Sequence, residues 1–385
     1  MKNCNRVILI AIICLTINAC NRMNVEWTEL VPLPPPVPGA VQPGVAGPFA
    51  GLHGNTLFVA GGANFHDTMP WHGGKKQYHD EIYLLNMTSG EFAWQACKGL
   101  ERLPRPVAYG ASASVGAGVV CMGGETESGL TDEVYIISVA GERPLITPLP
   151  PLPVPLSGAA SAAAGSVVFI AGGISPAGAS AEVWSLDTEN VGAGWQKLAD
   201  IPVALINSVM TVTGGRNPGL WLLGGRTRGE GDDSSVIRSE IFRYSTEDNR
   251  WTPEGELSDG AETVYLAAGT GAAVNGDQIV LFGGNDGSVF NRVERILSEM
   301  ARENDPERHE KLRKEYISLQ ESHPGFSRRV ILFDTETGRS FYAGDIPGPA
   351  QVTTTAVETP WGIVIPSGEI RPGVRTPVVR IVNFR

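Results

Sequence analysis

Short apolar runs recur along the chain, and most of them end in a pair of glycines. They read Leu57-Phe58-Val59-Ala60-Gly61-Gly62, Val119-Val120-Cys121-Met122-Gly123-Gly124 and Val168-Phe169-Ile170-Ala171-Gly172-Gly173. Leu220-Trp221-Leu222-Leu223-Gly224-Gly225 and Ile279-Val280-Leu281-Phe282-Gly283-Gly284 follow, then a weaker copy, Ile363-Val364-Ile365-Pro366-Ser367-Gly368. Each pair precedes a variable polar stretch and a second apolar run, such as Ile82-Tyr83-Leu84-Leu85 or Val330-Ile331-Leu332-Phe333. Apolar runs this short, bounded by glycine and rich in β-branched and aromatic residues, predict strands. Several units then show a Trp (Trp94, Trp195, Trp251) and a Pro-rich link to the next.

The glycine pairs lie 62, 49, 52, 59 and 84 residues apart. A period near 50 with Gly-Gly and a later Trp is the signature of Kelch repeats in a β-propeller. One four-stranded sheet cannot bury both faces alone, whereas sheets stacked around an axis bury each other. Six copies predict an all-β, six-bladed propeller. The sixth unit lacks its Trp strand, and Glu26-Trp27-Thr28-Glu29-Leu30 resembles Trp195-Gln196-Lys197-Leu198. The N-terminal strand is therefore expected to complete the last blade and remove an exposed edge.

The long final interval marks an insertion in blade five. Over residues 291–326 Glu, Arg, Lys and Leu dominate, with apolar residues at three- and four-residue spacing, which predicts amphipathic helix. Asp305-Pro306 divides it into a helical hairpin.

Composition agrees with a turn-rich β fold: of 385 residues 47 are Gly and 28 Pro, and only 18% are charged. The net charge of −11 argues against a nucleic-acid partner. No metal-ligand spacing occurs, so neither metal nor cofactor is expected. At the start, Lys2 and Arg6 precede an apolar run from Val7 to Ile17, too short to span a bilayer but right for a signal peptide. It ends in Ile17-Asn18-Ala19-Cys20, like a bacterial lipobox. Residues 1–19 are read as the signal, Cys20 as the lipidated N-terminus and 20–385 as the propeller. Membrane contact is then expected only through the lipid, at the periplasmic side; ordinary secretion is the alternative. Cys97 and Cys121 read as small apolar strand residues.

Loops that follow the Gly pairs gather at one mouth of a propeller. The residues just after the pairs are polar there, Asn64, Glu125, Arg226, Asn285 and Glu369, with Ile174 the exception. Two stretches are richer. Phe65 to Lys76 offers Trp71 for stacking on a sugar and Lys75 and Lys76 for an anion. Ser367 to Arg375 sets Glu369 near Arg371 and Arg375. A small polar, anionic ligand at a lidded pocket is the expectation.

These motifs resemble the bacterial N-acetylneuraminate epimerases, or sialic acid mutarotases, and among them the cyclically permuted members. The resemblance rests on residues Gly51 to Phe65, Gly73-Gly74-Lys75-Lys76, Arg105-Pro106-Val107-Ala108-Tyr109-Gly110, Gly123-Gly124-Glu125-Thr126 and Gly368-Glu369-Ile370-Arg371-Pro372-Gly373-Val374-Arg375. It implies that Glu369 is the proton acceptor and that Arg375 is also needed. Ser367, in place of the first Gly of its pair, is expected to be harmless. The implied reaction interconverts the α and β anomers of free N-acetylneuraminate.

That chemistry needs a proton removed from the anomeric hydroxyl and one delivered to the ring oxygen, for which a positioned carboxylate is a suitable base. A planar Arg fork suits the sugar's carboxylate, with Arg375 the first candidate and Arg226 the second. A close Arg also weakens Glu369 as a base. Glu125, Lys75 and Tyr109 are the candidates for the acid. The rivals are a non-catalytic glycan-binding or interaction propeller, a Kelch-type copper radical oxidase, and a sialidase, whose repeated Ser-x-Asp-x-Gly-x-x-Trp boxes are absent.

Overall fold

Each apolar run becomes the second strand of a four-stranded antiparallel sheet in the computed structural model. The structure describes residues 25–384, apart from 38, 89–91, 96–100, 142 and 230–233. The signal segment, Cys20 and Cys97 lie outside the described residues. Blade one pairs Phe49–His53, Thr56–Ala60, Ile82–Asn86 and Ala93–Trp94 in sequence order. Blades two to five repeat that order, with second strands Gly118–Met122, Val167–Ala171, Gly219–Leu223 and Gln278–Phe282. Blade six is Val357–Thr359, Gly362–Pro366 and Val379–Phe384, completed by Val25–Leu30. That outer strand pairs antiparallel with Val379–Phe384 from Val25↔Phe384 to Leu30↔Val379, so the two ends of the chain close the ring.

The core lies between blades. Phe49, Phe58 and Leu84 of blade one pack on Val119, Cys121 and Tyr135 of blade two. Trp221 of blade four meets Phe333 of blade five edge to face, with ring centroids 5.5 Å apart. Cys121 is fully buried in its strand, as its apolar neighbours require.

The Gly-Gly pairs have a geometric cause. Gly61, Gly123, Gly172, Gly224 and Gly283 have φ between 60 and 67°, and the second glycines between 90 and 116°. A Cβ on Gly224 would stand 2.4 Å from the Leu266 carbonyl oxygen of the next blade, a position open only to glycine. Ser367 takes the same left-handed φ, 53°. Its buried hydroxyl accepts from the Val45 N–H at 2.9 Å and lies 3.0 and 2.8 Å from the Val45 and Thr376 carbonyls. The serine is thus a staple between blades six and one rather than a neutral replacement.

A second device rings the axis. Just before each innermost strand stands one residue with φ between 51 and 64°: Gly47, Tyr109, Gly158, Asn207, Ala268 and Thr353. The N–H of each donates to the carbonyl of the previous one, and Gly47 donates to Thr353, with N···O distances of 2.7 to 2.9 Å. This closed circle of backbone hydrogen bonds satisfies groups that would otherwise be stranded near the axis.

Blade five carries two helices, α1 (Phe290–Arg302) and α2 (Pro306–Glu321). Asp305 caps α2 by accepting from the Glu307 N–H, and Pro306 occupies its first position, where no N–H is needed. Val293, Ile296 and Leu312 form the hairpin's buried side.

Candidate active site

The glycine pairs aim short two-stranded ribbons at one mouth of the ring. The ribbon Glu369–Arg371 with Val374–Arg375 holds the two residues of most interest side by side, with Glu369 registered opposite Arg375. Arg375 Nη1 lies 3.1 Å from Glu369 Oε1, and the same oxygen accepts the Gly373 N–H at 2.8 Å. Arg375 Nε donates to the Ala63 carbonyl at 3.2 Å and Nη2 to the Tyr109 hydroxyl at 3.3 Å. Its guanidinium stacks on Phe65, 4.9 Å from the ring centroid. Ala63 and Phe65 belong to blade one and Tyr109 to the entry of blade two, so this cluster exists only because the ring closes.

The Arg375 side chain is 3% exposed and that of Glu369 17%. Arg375 therefore spends its fork on Glu369, Tyr109 and backbone, and is not open to a ligand's carboxylate as the sequence suggested. Burial raises the Glu369 carboxyl above its ordinary value; Arg375, the Gly373 N–H and Lys76 oppose this in decreasing order. The balance favours a base stronger than an ordinary carboxylate, which resolves the tension over a neighbouring cation.

Lys76 extends the cluster. Its Nζ lies 2.5 Å from Glu125 Oε1 and 4.8 Å from the Tyr109 ring centroid. Glu125 Oε1 also accepts the Tyr78 hydroxyl at 2.7 Å. Tyr78, on the two-residue strand Gln77–Tyr78 that follows Lys76, is a site residue that the sequence did not single out. The Tyr109 phenol lies above its ordinary value: burial, first, and the charge of Glu369 raise it, and Arg375 and Lys76 offset only part of this.

Beside Glu369 opens a cavity of about 470 Å³. Asn207, Ala268 and Thr353 of the hydrogen-bonded circle line it, together with Arg226, Asn285 and Glu369. Helix α1 and the segment after α2 form the remaining wall with Phe290, Val293, Leu297, His323 and Phe326. Arg226 Nη1 bonds Ser235 Oγ at 3.0 Å, and its guanidinium stands 5.4 Å from the centroid of Phe290. Ser235 is itself fixed by Glu294, which accepts its N–H at 2.7 Å and lies 3.0 Å from its hydroxyl. Burial pulls the Arg226 guanidinium below its ordinary value and Glu294 offsets only part of this. A cation so placed gains from an anionic ligand.

The other expected residues are dispersed. Asn64 is buried, its Nδ2 donating to the Gly44 carbonyl at 3.1 Å. Trp71 is 8% exposed and packs beneath Gly373, so it supports the turn that holds Glu369 rather than offering a stacking face. Lys75 is exposed and makes no ion pair among the described residues. Arg371 lies on the rim with His72 and Glu321, which are 2.9 Å apart and join the blade-one loop to α2. Asn285 lines the cavity and accepts the Gly287 N–H at 2.8 Å. His323, buried in the cavity wall, was missed because nothing in its local sequence sets it apart from the charged hairpin.

Known proteins place the chain among relatives. A family model described as N-acetylneuraminate epimerase matches residues 15–146 and 149–385. The N-acetylneuraminate epimerase of Vibrio cholerae serotype O1 is 36% identical over 130 residues, covering 31% of this chain and 32% of that one. That of Vibrio vulnificus is 37% identical over 123 residues, 29% of this chain and 30% of the other. That of Yersinia enterocolitica is 24% identical over 201 residues, 50% of this chain and 48% of the other. The matched stretches thus span about a third to a half of the length of these curated relatives. The solved structure of YjhT aligns with a TM-score of 0.60 over 89% of this chain and 97% of that chain, at 14% identity, a likeness of fold alone.

Proposed function

The chain belongs to the N-acetylneuraminate epimerase family, and on that premise we propose that it is an isomerase that interconverts the α and β anomers of free N-acetylneuraminate. The observation that carries this reading is a half-buried carboxylate of raised basicity, Glu369, on the wall of a cavity whose cation, Arg226, is left under-neutralised.

In the proposed mechanism Arg226 receives the sugar's carboxylate, which sits on the anomeric carbon, and thereby presents the anomeric hydroxyl to Glu369. Glu369 takes the hydroxyl proton. The bond from the anomeric carbon to the ring oxygen breaks, and the ring oxygen takes a proton. Of the three acids the sequence offered, Tyr109 is adjacent to the base. Burial and the neighbouring Glu369 keep it protonated, so it holds a proton to give, and Arg375 and Lys76 offset part of the cost of the phenolate that forms. Glu125 accepts from Lys76 and Tyr78, and Lys75 faces solvent, so neither suits the task. The open keto form rotates. On reclosure the sugar hydroxyl returns its proton to Tyr109 while Glu369 returns the other to the carbonyl oxygen, and both groups are restored.

The charged and apolar start of the chain supports export, with Cys20 as a lipid anchor facing the periplasm. There the enzyme would act on sugar freed by sialidases that retain configuration and so release the α anomer. Calorimetry separates this reading from a binding propeller. Glu369→Gln should still bind N-acetylneuraminate with little loss but not turn it over, whereas Arg226→Ala should weaken binding about 10- to 100-fold. Retained turnover in Glu369→Gln would sink the mechanism, and unchanged binding in Arg226→Ala would remove Arg226 from the carboxylate.

A further inference from the structure

Apart from Phe290 and Glu294, which hold Arg226 in place, one wall of the Glu369 cavity has no task in the mechanism above. It is built by the helical hairpin of blade five and is mostly apolar, with Glu294, Gln320 and His323 as its polar members. Val289, Phe290, Val293, Leu297 and Phe326 all face the cavity. Leu297 is 44% exposed, although it stands four residues after the buried Val293 on the same face of α1. Leu297 continues a contiguous apolar lining on a cavity that also holds placed polar groups, which points to a ligand with an apolar group. Phe290 stacks beside Arg226, and Leu297 lies two turns further along α1, about 10 Å away at 1.5 Å per residue. The wall therefore runs from the cation toward the far side of a sugar ring whose carboxylate Arg226 holds.

His323 stands in the same wall and is 8% exposed. Its Nδ1 accepts the Gly325 N–H at 3.0 Å, so in the neutral ring Nε2 carries the proton. Burial lowers the imidazole's proton affinity and keeps it neutral at physiological pH; Asp286 opposes this and Arg371 assists. The hairpin thus supplies an apolar surface and, at His323, a neutral N–H donor, with the Gln320 amide as a second polar group on the same wall.

We infer that the helical insertion forms a subsite for the acylamino group of the sugar, with Leu297 and Val293 against the acyl methyl and His323 Nε2 donating to the amide carbonyl. This deepens the mutarotase reading and rests on it. The acyl methyl is the substrate's single methyl group, and it lies across the ring from the anomeric carbon. Filling such a pocket discriminates about 10- to 200-fold per small apolar group.

The test compares anomer equilibration of N-acetylneuraminate with that of its analogue bearing a hydroxyl in place of the acetamido group. The native protein should favour the acylated sugar by at least about tenfold in kcat/KM. Leu297→Ser, at a half-open position that the fold does not need, and His323→Ala should each pull that ratio toward unity, mainly through a higher KM for the acylated sugar. His323→Gln, which keeps an N–H donor, should retain more of the preference than His323→Ala. Equal handling of both sugars by the native protein, or variants that lose rate on both in proportion, would overturn the subsite while leaving the mutarotase intact. Acceleration of neither sugar would overturn the mutarotase reading and the subsite with it.

Discussion

At the scale of the residue, the site turns on how one carboxylate and one guanidinium divide their labour. Glu369 is a useful base because burial outweighs the stabilisation of its anion by Arg375, the Gly373 N–H and Lys76. The sign of the pH dependence follows. Turnover requires the ionised form, so kcat/KM should fall on the acid side with an apparent pKa above 4.5. Arg375→Gln removes the largest influence holding that value down, and the acid limb should move to higher pH as the plateau drops. An acid limb that stays put or moves lower would contradict the assignment. The pairing of Glu369 with Arg375 was legible in the spacing of the Gly-Glu-x-x-Pro-Gly-x-Arg segment, because a tight turn folds two positions six residues apart onto one ribbon. What their fork points do was not legible. Arg375 reaches Ala63 and Tyr109, which lie 312 and 266 residues away, and only the closed ring brings them near. Arg226, on the blade-four ribbon, is left as the cavity's open cation.

At the scale of the element, the repeat was readable because Gly-Gly answers a backbone demand that recurs in every blade. Five pairs place both glycines at positive φ, and the first stands where a Cβ would press on the next blade or the adjoining loop. The sixth pair shows the limit of reading repeats as consensus. Ser367 carries the left-handed strain of its position, and its hydroxyl repays it by joining Val45 and Thr376. Ser367→Gly would restore the consensus yet leave the buried Val45 N–H without its acceptor. It should lower unfolding stability by about 1–2 kcal/mol, measured by denaturant titration; a gain in stability would show the hydroxyl to be incidental. The six left-handed residues around the axis left no trace in composition, since Gly, Tyr, Asn, Ala and Thr share no chemistry. They are imposed by the circle of hydrogen bonds, a tertiary constraint that overrides local preference.

At the scale of the whole molecule, closure is what makes the site. Strand Val25–Leu30 completes blade six, blade six carries Glu369, and its ribbon leans on blade one through Arg375 and the Ala63 carbonyl. The hydrogen-bonded circle floors the cavity, and the hairpin of blade five walls it. The blade count, the closing strand and the hairpin were all legible, because periodicity and composition carry them directly. The cavity's two-sided chemistry was not, because it depends on side chains from three different blades facing one another. The most direct measurement of the central claim is a proton NMR time course of α-N-acetylneuraminate, released in situ by a retaining sialidase, with the native protein and with Glu369→Gln. The native protein should bring the α and β signals to equilibrium well ahead of the uncatalysed rate, and Glu369→Gln should lose about 10²–10⁴-fold of that acceleration. Equilibration at the uncatalysed rate with folded native protein, or undiminished acceleration by the variant, would contradict the claim.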